Sequence, residues 1–542
     1  MAVREYIGAR YVPKFMGTWS NTTAYEALSI VDDGLGTSYT SKKPVPAGTV
    51  LTDTEYWAVT GSMSGAIVSL QNRVSFLENE YANVKFYGAI GDGVTDDTTA
   101  FKNAFATGKN IYIPEGTYLI SDSIPLKSNT IIFGNGLIYD TYQPTDETGL
   151  FNGDHISNVT IDGIRIQGTG SLTTAPEHGS MIRFYDSSDI VIRNVELFNN
   201  PKIHCICIET SNHSIVEDCY IHSYTQAGVT GLNTSNDLKV LNNTIIDCTG
   251  VTNIQNTYPI MLSGYNYSQS SPYPLPEDLF AIGNYIYNTV PFWEGIDSHG
   301  GKKIVISDNI VENCYIGVAT VGNQYFPCED VTVNNNVLIG PDSGTGYNQN
   351  NCGIAASFIT RGIFNNNIIK GWSKLTMASV KTAVYIADCN YIAFENNLLE
   401  DNGDNNNTFV FSLYDTTNAK ISENIFVDND ALRAIGLRGG SDHVIVKDNY
   451  IRNSGEYCYC TITATAPNDI HLKNNNSDVW NVYGAPQIVP DRYNDITVIK
   501  AGKVGDIVLN SAPSSGRPLG WICTTAQTNS DPAVYAALSN IA

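Results

Sequence analysis

The chain has 542 residues and a formal net charge of −23, with only 16% charged residues. This acidic balance argues against nucleic acid as a partner, because phosphate binding needs clustered Lys and Arg. No apolar run approaches the roughly 18 residues of a membrane span, and the opening sequence MAVREYIGARYVPKF lacks the apolar core of a signal peptide. We therefore expect a protein of several domains that is made in a cytoplasm and does not insert into a membrane.

Cysteine usage points to the interior rather than to redox or metal chemistry. The 11 Cys residues include no CxxC pair, and most lie in apolar runs such as HCICIET. We interpret them as small buried hydrophobic residues rather than as disulfides or metal ligands. The sequence contains no zinc-ligand spacing, P-loop, GxSxG or Rossmann motif, so we predict no metal site and no cofactor.

The first predicted element, residues 1–62, is a small β-rich module. It contains scattered aromatic residues and turn sequences such as DDGLG and KKPVPAG. Its Trp-x5-Tyr opening and its YWAVTG close resemble small chitin-binding-type modules of the 5/12 class. Two roles are open for the aromatic residues: the core of the module, which we favour, or a platform for sugar rings.

The second element, residues 63–82, has apolar residues at heptad steps: Ile67, Leu70, Val74, Leu77 and Tyr81. This seam predicts a short coiled coil. A helix of this length is marginal alone, so the seam implies association with other chains. A single amphipathic helix packed on a neighbouring domain is the alternative.

The third element begins with NVKFYGAIGDGVTDDTTAFKNAFATGKNIYIPEGTYLI, residues 83–120. Thr95 or Asp96 is placed to N-cap a helix. The apolar residues on one side of that helix are Ala100, Phe101, Ala104 and Phe105. The segment IYIPEGTYLI predicts two strands around a Pro-Glu-Gly turn. We interpret the Asp residues of GDGVTDD as cap and turn groups rather than as a calcium site.

This stretch closely resembles the N-terminal signature of the pectate lyase superfamily, GAxGDGxxDDTxAxxxA followed by xYxPxGxY. The matching residues are Gly88, Ala89, Gly91, Asp92, Gly93, Asp96, Asp97, Thr98, Ala100, Pro114, Gly116 and Tyr118. With the repeats that follow, the resemblance covers about residues 83–480. It implies a parallel β-helix whose first coil is covered by this segment.

From residue 156 onward a short phrase recurs, as in VTVNNNVL, IVISDNIV and IAFENNLL. Alignment on one position gives Ile164, Val195, Cys219, Asn243, Asn284, Asn309, Asn336, Asn367, Asn397, Asn424, Asn449 and Asn475. The steps of 24 to 41 residues suit one coil of a β-solenoid. Period-2 alternation within each copy marks a half-buried strand, and the polar pair marks a corner.

These repeats predict a mainly β protein built on a right-handed single-stranded parallel β-helix. Leucine-rich repeats, helical repeats and β-propellers fit poorly. We expect the nine aligned Asn residues to stack one coil apart, about 4.8 Å, as a ladder of amides, since Asn tolerates left-handed backbone. Asn as merely a frequent turn residue is the alternative. The longest step contains an insertion at about 251–277, which we expect to form a loop off the shaft.

The stretch WEGIDSHGG, residues 293–301, concentrates polar side chains in the solenoid. Counting back five residues from the first apolar residue of each aligned phrase places Glu209, Asn233 and His299 in one column. Asp297 lies two residues before His299 and should share its strand face. We expect Glu294 to lie one or two residues outside that strand.

Hydrolysis of a glycosidic bond needs two carboxyl groups, which Glu294 and Asp297 can supply. His299 can orient one of them or raise its pKa, and these three form the predicted catalytic set. Trp293 offers a stacking face for a sugar ring. The form EGIDSHGG resembles a recurring sequence in β-helix carbohydrate-active proteins. A solvated polar corner is the alternative.

Three further residues are predicted to bind substrate: Arg183, Glu209 and Asn233. Glu209 falls in the predicted column of His299, and Arg183 suits an acidic sugar or a phosphate. The alternative for Arg183 is a structural ion pair with a neighbouring acid. A lyase would need a base near an acidic sugar and often a calcium site. We see no grouped carboxylates of that kind on the central coils, which favours hydrolysis.

The segment VGDIVLNSAPSSGRPLGWICTTA at 504–526 breaks the repeat and resembles the closing module of some phage tail spikes. The matching residues are Gly505, Asp506, Pro513, Gly520, Trp521 and Cys523. We therefore divide the chain into an N-terminal anchoring module (1–62), a short trimeric coiled coil (63–82), a capped β-helix (83–480) and a distal β module (481–542). This order resembles a bacteriophage tailspike or receptor-binding tail appendage.

That resemblance implies a homotrimeric virion component that is assembled in the host cytoplasm. Its N-terminal module would attach to phage tail, portal or baseplate proteins. Its β-helix would bind a host surface polysaccharide or teichoic acid. Three functions are open: a glycan depolymerase, a non-catalytic adhesin, or a structural tail fibre.

Overall fold

The computed structural model describes residues 13–62, 80–170, 179–249, 257–264, 274–287, 293–341, 350–372, 380–403, 409–431 and 433–452. It also describes residues 454, 457–459, 470–473, 475–477, 495–498, 507–510, 520–525 and 534–537. Residues 63–79 of the predicted coiled coil, and most of the predicted insertion loop, lie outside these ranges. The chain forms two compact units, Met1–Tyr81 and Ala82–Ala542. The four-part division proposed above stays a prediction.

The N-terminal unit contains one four-stranded sheet, with strands numbered in chain order: β1 (Lys14–Thr18), β2 (Ser29–Asp32), β3 (Thr37–Ser41) and β4 (Trp57–Ser62). Its buried core contains Tyr25, Val31, Val45 and Trp57. The Tyr25 and Trp57 rings meet edge to face, with centroids 5.4 Å apart. Trp19, Tyr39 and Tyr56 pack against this core, which agrees with the favoured role of the aromatic residues.

The second unit is a right-handed parallel β-solenoid, as predicted. Each coil contributes one strand to each of three sheets. Sheet 1 contains β7 (Asn110–Ile113), β10 (Thr130–Gly134), β13 (Ser157–Asp162), β16 (Ser188–Arg193), β19 (Asn212–Glu217), β22 (Asn236–Leu241), β25 (Glu277–Ile282), β28 (Gly301–Ser307), β31 (Cys328–Asn334), β34 (Ile359–Asn365), β37 (Asn390–Glu395), β40 (Thr417–Ser422), β43 (Asp442–Lys447) and β46 (Ile470–Lys473). Strand β5 (Tyr81–Asn83) pairs with β7.

Sheet 2 contains β6 (Asp92–Asp96), β8 (Thr117–Ile120), β11 (Leu137–Asp140), β14 (Arg165–Gly168), β17 (Glu196–Asn200), β20 (Tyr220–Tyr224), β23 (Thr244–Cys248), β26 (Tyr285–Tyr287), β29 (Ile310–Glu312), β32 (Val337–Ile339), β35 (Ile368–Lys370), β38 (Leu398–Glu400), β41 (Ile425–Val427), β44 (Tyr450–Arg452) and β47 (Asn476–Ser477).

Sheet 3, which carries the candidate site, contains β9 (Ile124–Pro125), β12 (Gly149–Asp154), β15 (Ser180–Tyr185), β18 (His204–Glu209), β21 (Ala227–Leu232), β24 (Tyr258–Gly264), β27 (Glu294–Ser298), β30 (Ile316–Val321), β33 (Asn350–Ser357), β36 (Val380–Ala387), β39 (Phe409–Tyr414), β42 (Arg433–Arg438) and β45 (Tyr457–Tyr459). Aliphatic and aromatic side chains from all three sheets form one continuous core inside the coils.

The segment before the first coils covers the end of that core. Helix α1 (Thr98–Ala106) buries Phe101 and Phe105, and the Phe101 ring packs against Tyr118 with centroids 5.3 Å apart. The N-cap residue is Asp97, not Thr95 or Asp96 as predicted. The Asp97 carboxylate is instead bound by the backbone N–H groups of residues 90 and 91, at 2.7 and 3.0 Å.

The acidic groups of GDGVTDD serve the local backbone, as predicted. Asp92 accepts hydrogen bonds from the backbone N–H groups of Val94 (2.9 Å) and Thr95 (2.7 Å). Asp96 accepts one from the backbone N–H of Thr98 at 2.9 Å. These bonds are the usual role of Asp in turns and at helix starts.

The predicted asparagine ladder runs through the interior from Asn243 to Asn475. Each amide Nδ2 donates to the Oδ1 of the next ladder residue at 2.9–3.0 Å. Each Oδ1 also accepts the backbone N–H of the preceding ladder residue, as in Asn309 N to Asn336 Oδ1 at 3.1 Å. The ladder therefore satisfies its buried polar groups and locks neighbouring coils in register.

The left-handed backbone falls one residue before the ladder, not on it. The residues with positive φ are Asn242, Gly283, Asp308, Asn335, Asn366, Asn396, Glu423 and Asp448. Each makes the corner that sends the next side chain inward. From Asn243 to Asn449, the aligned Asn of each phrase thus makes the ladder, and the residue before it makes the bend.

The Cys residues of the parallel coils are buried, as predicted: Cys205, Cys207, Cys219, Cys248, Cys314, Cys328, Cys352 and Cys389. No helix in the described part of the chain is long and apolar enough to cross a membrane. After the last parallel coils come four strands with antiparallel pairing: β48 (Asp495–Val498), β49 (Ile507–Asn510), β50 (Gly520–Thr525) and β51 (Val534–Ala537).

The ladder predicts a large stability loss when one member is removed. In Asn336→Ala, the backbone N–H of Asn309 and the carbonyl of Ile306 lose their amide partners. Since each buried polar group left unpaired costs about 1–3 kcal/mol, we expect the free energy of unfolding to fall by about 3 kcal/mol. Chemical denaturation at fixed protein concentration measures it. Thr332→Ala, on the same coil but outside the core, should change it by much less, and equal losses in the two variants would contradict the ladder's role.

Candidate functional site

Strand β27 places two carboxylates on the outer face of sheet 3. Ile296 points into the core, whereas Glu294 and Asp297 lie opposite Ile316 and Ala319 of β30. The interval of three residues breaks strict alternation at Gly295. A Cβ at Gly295 would meet Val311 Cγ1 at 2.5 Å and Gly317 O at 2.8 Å, so the backbone is pressed against the interior there and Glu294 turns outward. Glu294 is therefore the first residue of β27, not outside the strand as predicted.

His299 follows β27 directly and completes the cluster. Its backbone N–H donates to Ser263 O at 2.8 Å. Its imidazole Nε2 lies 3.0 Å from Asp297 Oδ2 and 3.9 Å from Glu294 Oε2. The predicted interval of two residues therefore does bring Asp297 and His299 together on one face.

Both carboxylates are removed from water, with side-chain exposures of 3% for Glu294 and 0% for Asp297. His299 is 14% exposed and is the most accessible of the three. Glu294 Oε2 and both Asp297 oxygens accept no hydrogen bond. Native structures rarely leave buried polar groups in this state, and buried carboxyl groups with shifted pKa values are frequent at functional sites. The burial is inconsistent with the alternative of a solvated corner.

The surroundings of the cluster explain its electrostatics. On the preceding coil Met261 pairs with Asp297, and the Tyr258 ring lies edge-on to His299 at 6.4 Å. On the following coil lie Ile316 and Ala319, which belong to a small apolar cluster on the outer face. The carboxylates therefore stand between two layers with little capacity to solvate charge.

Burial raises the pKa of Glu294 from 4.5 to about 8. The indole N–H of Trp293 offsets part of this rise without reaching hydrogen-bond geometry. Burial, and then repulsion from Glu294, raises the pKa of Asp297 well above its ordinary value. Burial lowers the pKa of His299 to about 4. At neutral pH the imidazole is therefore neutral, and the two carboxyl groups retain proton between them.

Arg183, Glu209 and Asn233 form a second cluster. Arg183 Nη2 donates to Glu209 Oε2 at 2.6 Å, and Asn233 Nδ2 donates to Glu209 Oε1 at 3.1 Å. Arg183 also lies over the Tyr185 ring, 4.9 Å from its centroid. The ion pair with Glu209 is the structural role that the sequence left as an alternative for Arg183.

This second cluster is separate from the carboxylate pair. Arg183 stands in the column of Asp297, and the strand register places it four coils earlier, roughly 19 Å at the usual spacing. The sequence predicted that Glu209, Asn233 and His299 occupy equivalent positions on successive coils, and the observed strand pairing differs from this by one residue. The partner of Glu209 is Leu232, because the corner after β21 differs in length from its neighbours.

Sequence reasoning missed three polar residues on this face: His204, Thr230 and Tyr258. His204 Nδ1 lies 3.0 Å from Thr230 Oγ1, and burial lowers the pKa of His204 to about 4. HCICIET reads as an apolar strand, and Tyr258 lies in the predicted insertion. The strand register is the signal that could have found Thr230: it pairs with Met261, and Met261 pairs with Asp297, so Thr230 and Asp297 occupy equivalent positions on the same face.

The donor atoms of Glu294, Asp297 and His299 lie within 4.8 Å of one another, which is close enough for one metal ion. Metal binding requires deprotonated carboxylates, whereas burial favours their protonated forms. We therefore treat the cluster as an acid–base pair. The expectation of no metal and no cofactor stays a prediction.

Comparison with known proteins agrees with this fold. The family description "Rhamnogalacturonase A/epimerase, pectate lyase-like" matches residues 81–271. The crystal structure of the pre-mature bacteriophage phi29 gene product 12 superposes with a TM-score of 0.52 at 18% identity, over 77% of this chain and 55% of that chain. These matches agree with the predicted fold: the chain is a parallel β-helix protein, and residues 81–271 are similar to the pectate-lyase-like family.

Within that class the chain is similar to phage appendage proteins and to rhamnogalacturonases. It is 26% identical to the pre-neck appendage protein of Bacillus phage B103 over 309 residues, 53% of this chain and 32% of that protein. It is 26% identical to a probable rhamnogalacturonase E of Aspergillus oryzae over 292 residues, 49% of this chain and 65% of that protein. The chain thus spans about a third of the phage relative.

The raised pKa of Glu294 predicts how stability depends on pH. The folded state keeps a proton that the unfolded state loses above about pH 4.5, so stability falls as the pH rises from 4.5 to about 8. Glu294→Gln cannot ionise and should remove part of this decline. We expect the variant to gain stability relative to the parent protein between pH 5 and pH 8, measured by denaturant titration.

Asp330→Asn is the matched control. Asp330 is an exposed carboxylate whose pKa is lowered by its bond to Arg361. Its contribution therefore changes only at acid pH, and the stability difference between pH 5 and pH 8 should match that of the parent protein. A Glu294→Gln profile parallel to the parent profile would show that Glu294 is ionised in the folded chain.

Proposed function

We propose that this chain is part of a phage tail appendage that binds a host surface glycan and depolymerises it by hydrolysis. The observation that carries the proposal is the pair formed by Glu294 and Asp297: two buried carboxyl groups with raised pKa values beside a neutral imidazole that lies 3.0 Å from Asp297. Glycoside hydrolysis uses two carboxyl groups in this way. The similarity to phage appendage proteins and to a rhamnogalacturonase supports the same reading.

In this mechanism Glu294 is the general acid that protonates the leaving glycosidic oxygen. Its pKa of about 8 keeps it protonated at neutral pH. Asp297 acts in its ionised form, as the base that activates water or as the nucleophile. His299 Nε2, 3.0 Å from Asp297 Oδ2, orients that carboxylate. Protonation of Glu294 removes the repulsion that is the second cause of the raised pKa of Asp297, so a single charge on Asp297 is favoured over charges on both groups.

The wider surface supplies the proposed binding contacts. Trp293 is adjacent to Glu294 and half-buried, so its ring can stack on a sugar. The Arg183, Glu209 and Asn233 cluster offers polar groups four coils away on the same face. The glycan class is capsule, exopolysaccharide or wall teichoic acid.

The assembly belongs to the same proposal. We infer a homotrimer that forms in the host cytoplasm, joins the virion through the module at 1–62, and presents the β-helix to the cell surface. Neither nucleic acid nor membrane is a partner in this account. A non-catalytic adhesin and a structural fibre are the competing outcomes of the experiment below.

Purified protein incubated with the host glycan should release shortened products, measured by size-exclusion chromatography and reducing-end assay. Glu294→Gln and Asp297→Asn should each lower the rate by about 10²–10⁴-fold, the usual contribution of general acid–base groups. Asp330→Asn should retain the parent rate. Full activity in both site variants would remove this cluster from catalysis, and tight binding without cleavage would favour the adhesin.

The proton on Glu294 predicts the alkaline limb of the pH–rate profile. The rate should fall about tenfold per pH unit above about pH 8 as Glu294 ionises. The residual rate of Glu294→Gln should lack this limb. A parent rate that stays constant from pH 7 to pH 10 would contradict the role of Glu294 as the acid.

A further inference from the structure

The C-terminal coils of sheet 3 present a second group of side chains on the outer face. We call it the arginine–aromatic patch, and its members are Tyr385, Phe409, Tyr414, Arg433 and Arg438. They lie on three successive strands, β36, β39 and β42. Phe409 pairs with Arg433, and Tyr414 pairs with Arg438. All five side chains are half-buried, so each keeps an accessible part.

The packing of the patch is built around Phe409. Its ring lies over Gly436 on the next coil, where a Cβ would come within 2.5 Å of the ring. The guanidinium carbons of Arg433 and Arg438 are each 5.3 Å from the ring centroid. Arg438 also lies 5.6 Å from the Tyr414 centroid. These cation–π contacts hold the guanidinium groups in place before any ligand arrives.

Arg438 differs from Arg183 and Arg361 in its charge balance. Arg183 pairs with Glu209, and Arg361 pairs with Asp330. Arg438 makes no ion pair with a carboxylate of the described residues, and its contacts are with aromatic rings. In a chain of net charge −23, an arginine held by rings rather than by an acid leaves its donors available to an anion.

We propose that the arginine–aromatic patch binds an anionic saccharide. The Arg438 guanidinium would pair with a carboxylate or phosphate group of the glycan, a geometry that its planar donors favour. The Tyr385 and Tyr414 side chains offer rings for the apolar face of a sugar and hydroxyl groups for its polar edge. A uronic acid and a phosphodiester-linked glycan share this chemistry.

The patch is distinct from the carboxylate pair but shares its face. Tyr385 stands in the column of Asp297, three coils later, through Ala319 and Ala355. At the usual strand spacing this is roughly 14 Å, and Arg438 lies two coils further along. One polymeric glycan can therefore contact both places. Binding of a glycan at the patch does not depend on cleavage. Only the idea that the patch holds the polymer for hydrolysis at the carboxylate pair rests on the proposed function.

Calorimetric titration of the full chain tests the proposal with three probes: tetragalacturonate, a glycerol-phosphate oligomer and neutral maltotetraose. We expect at least one anionic probe to bind and maltotetraose to bind far more weakly. Tighter binding of tetragalacturonate points to a uronate, and tighter binding of the phosphate oligomer to a phosphodiester. Arg438→Gln should weaken the anionic probe about 10–100-fold, the usual value of a charged hydrogen bond.

Arg361→Gln is the matched control, because it removes an exposed arginine from a different sheet, and it should bind like the parent protein. The titrations are repeated in the Asp297→Asn background, so that failure of cleavage and failure of binding are seen separately. Circular dichroism confirms that the variants fold. Equal affinity of Arg438→Gln and the parent protein, equal affinity for maltotetraose, or no binding of either anionic probe would overturn the proposal.

Discussion

The structure depends on the in-register stacking of its coils, and the buried asparagine ladder is the interaction that fixes this register. Each ladder amide binds the next side chain and the next backbone, as between Asn309 and Asn336. A slip of one residue would leave a row of buried amides unpaired. Because the register is fixed, residues far apart in sequence become neighbours on the outer face, and the site consists of such neighbours.

The same burial has opposite consequences for the ladder and for the carboxylate pair. The ladder amides are buried and fully bonded, so they stabilise the fold. Glu294 Oε2 and the Asp297 oxygens are equally buried but accept no hydrogen bond of good geometry, so they cost stability and keep protons. A fold can carry such a site because the surrounding coils are held independently of it, and unsatisfied polar groups of this kind are typical of functional centres.

Periodicity made the solenoid and the ladder predictable, because these follow from repeated residue types at repeated intervals, and the interval of two residues brought Asp297 and His299 together. The local backbone geometry was not predictable in this way. The left-handed corner precedes the ladder residue, as at Asn335 before Asn336, since the phrase alone does not show which of two polar residues bends the chain. Glu294 lies on the same face as Asp297 because the alternation of strand β27 breaks at Gly295, and that break depends on tertiary packing. The ring contacts of Arg438 were likewise not predictable, because sequence does not reveal which side chains an arginine meets.

The charges along sheet 3 form an arrangement suited to an anionic polymer despite the net charge of −23. Exposed charges are screened beyond about 8 Å at physiological salt, so the local pattern matters more than the total. Arg183 is neutralised by Glu209, and the proton shared by Glu294 and Asp297 lowers the negative charge where cleavage is proposed. Arg438 adds a positive charge further along that is held by aromatic rings. For the anionic glycan proposed here, the burial that keeps a proton on the acid pair would therefore also lower the repulsion that the polymer meets on this face.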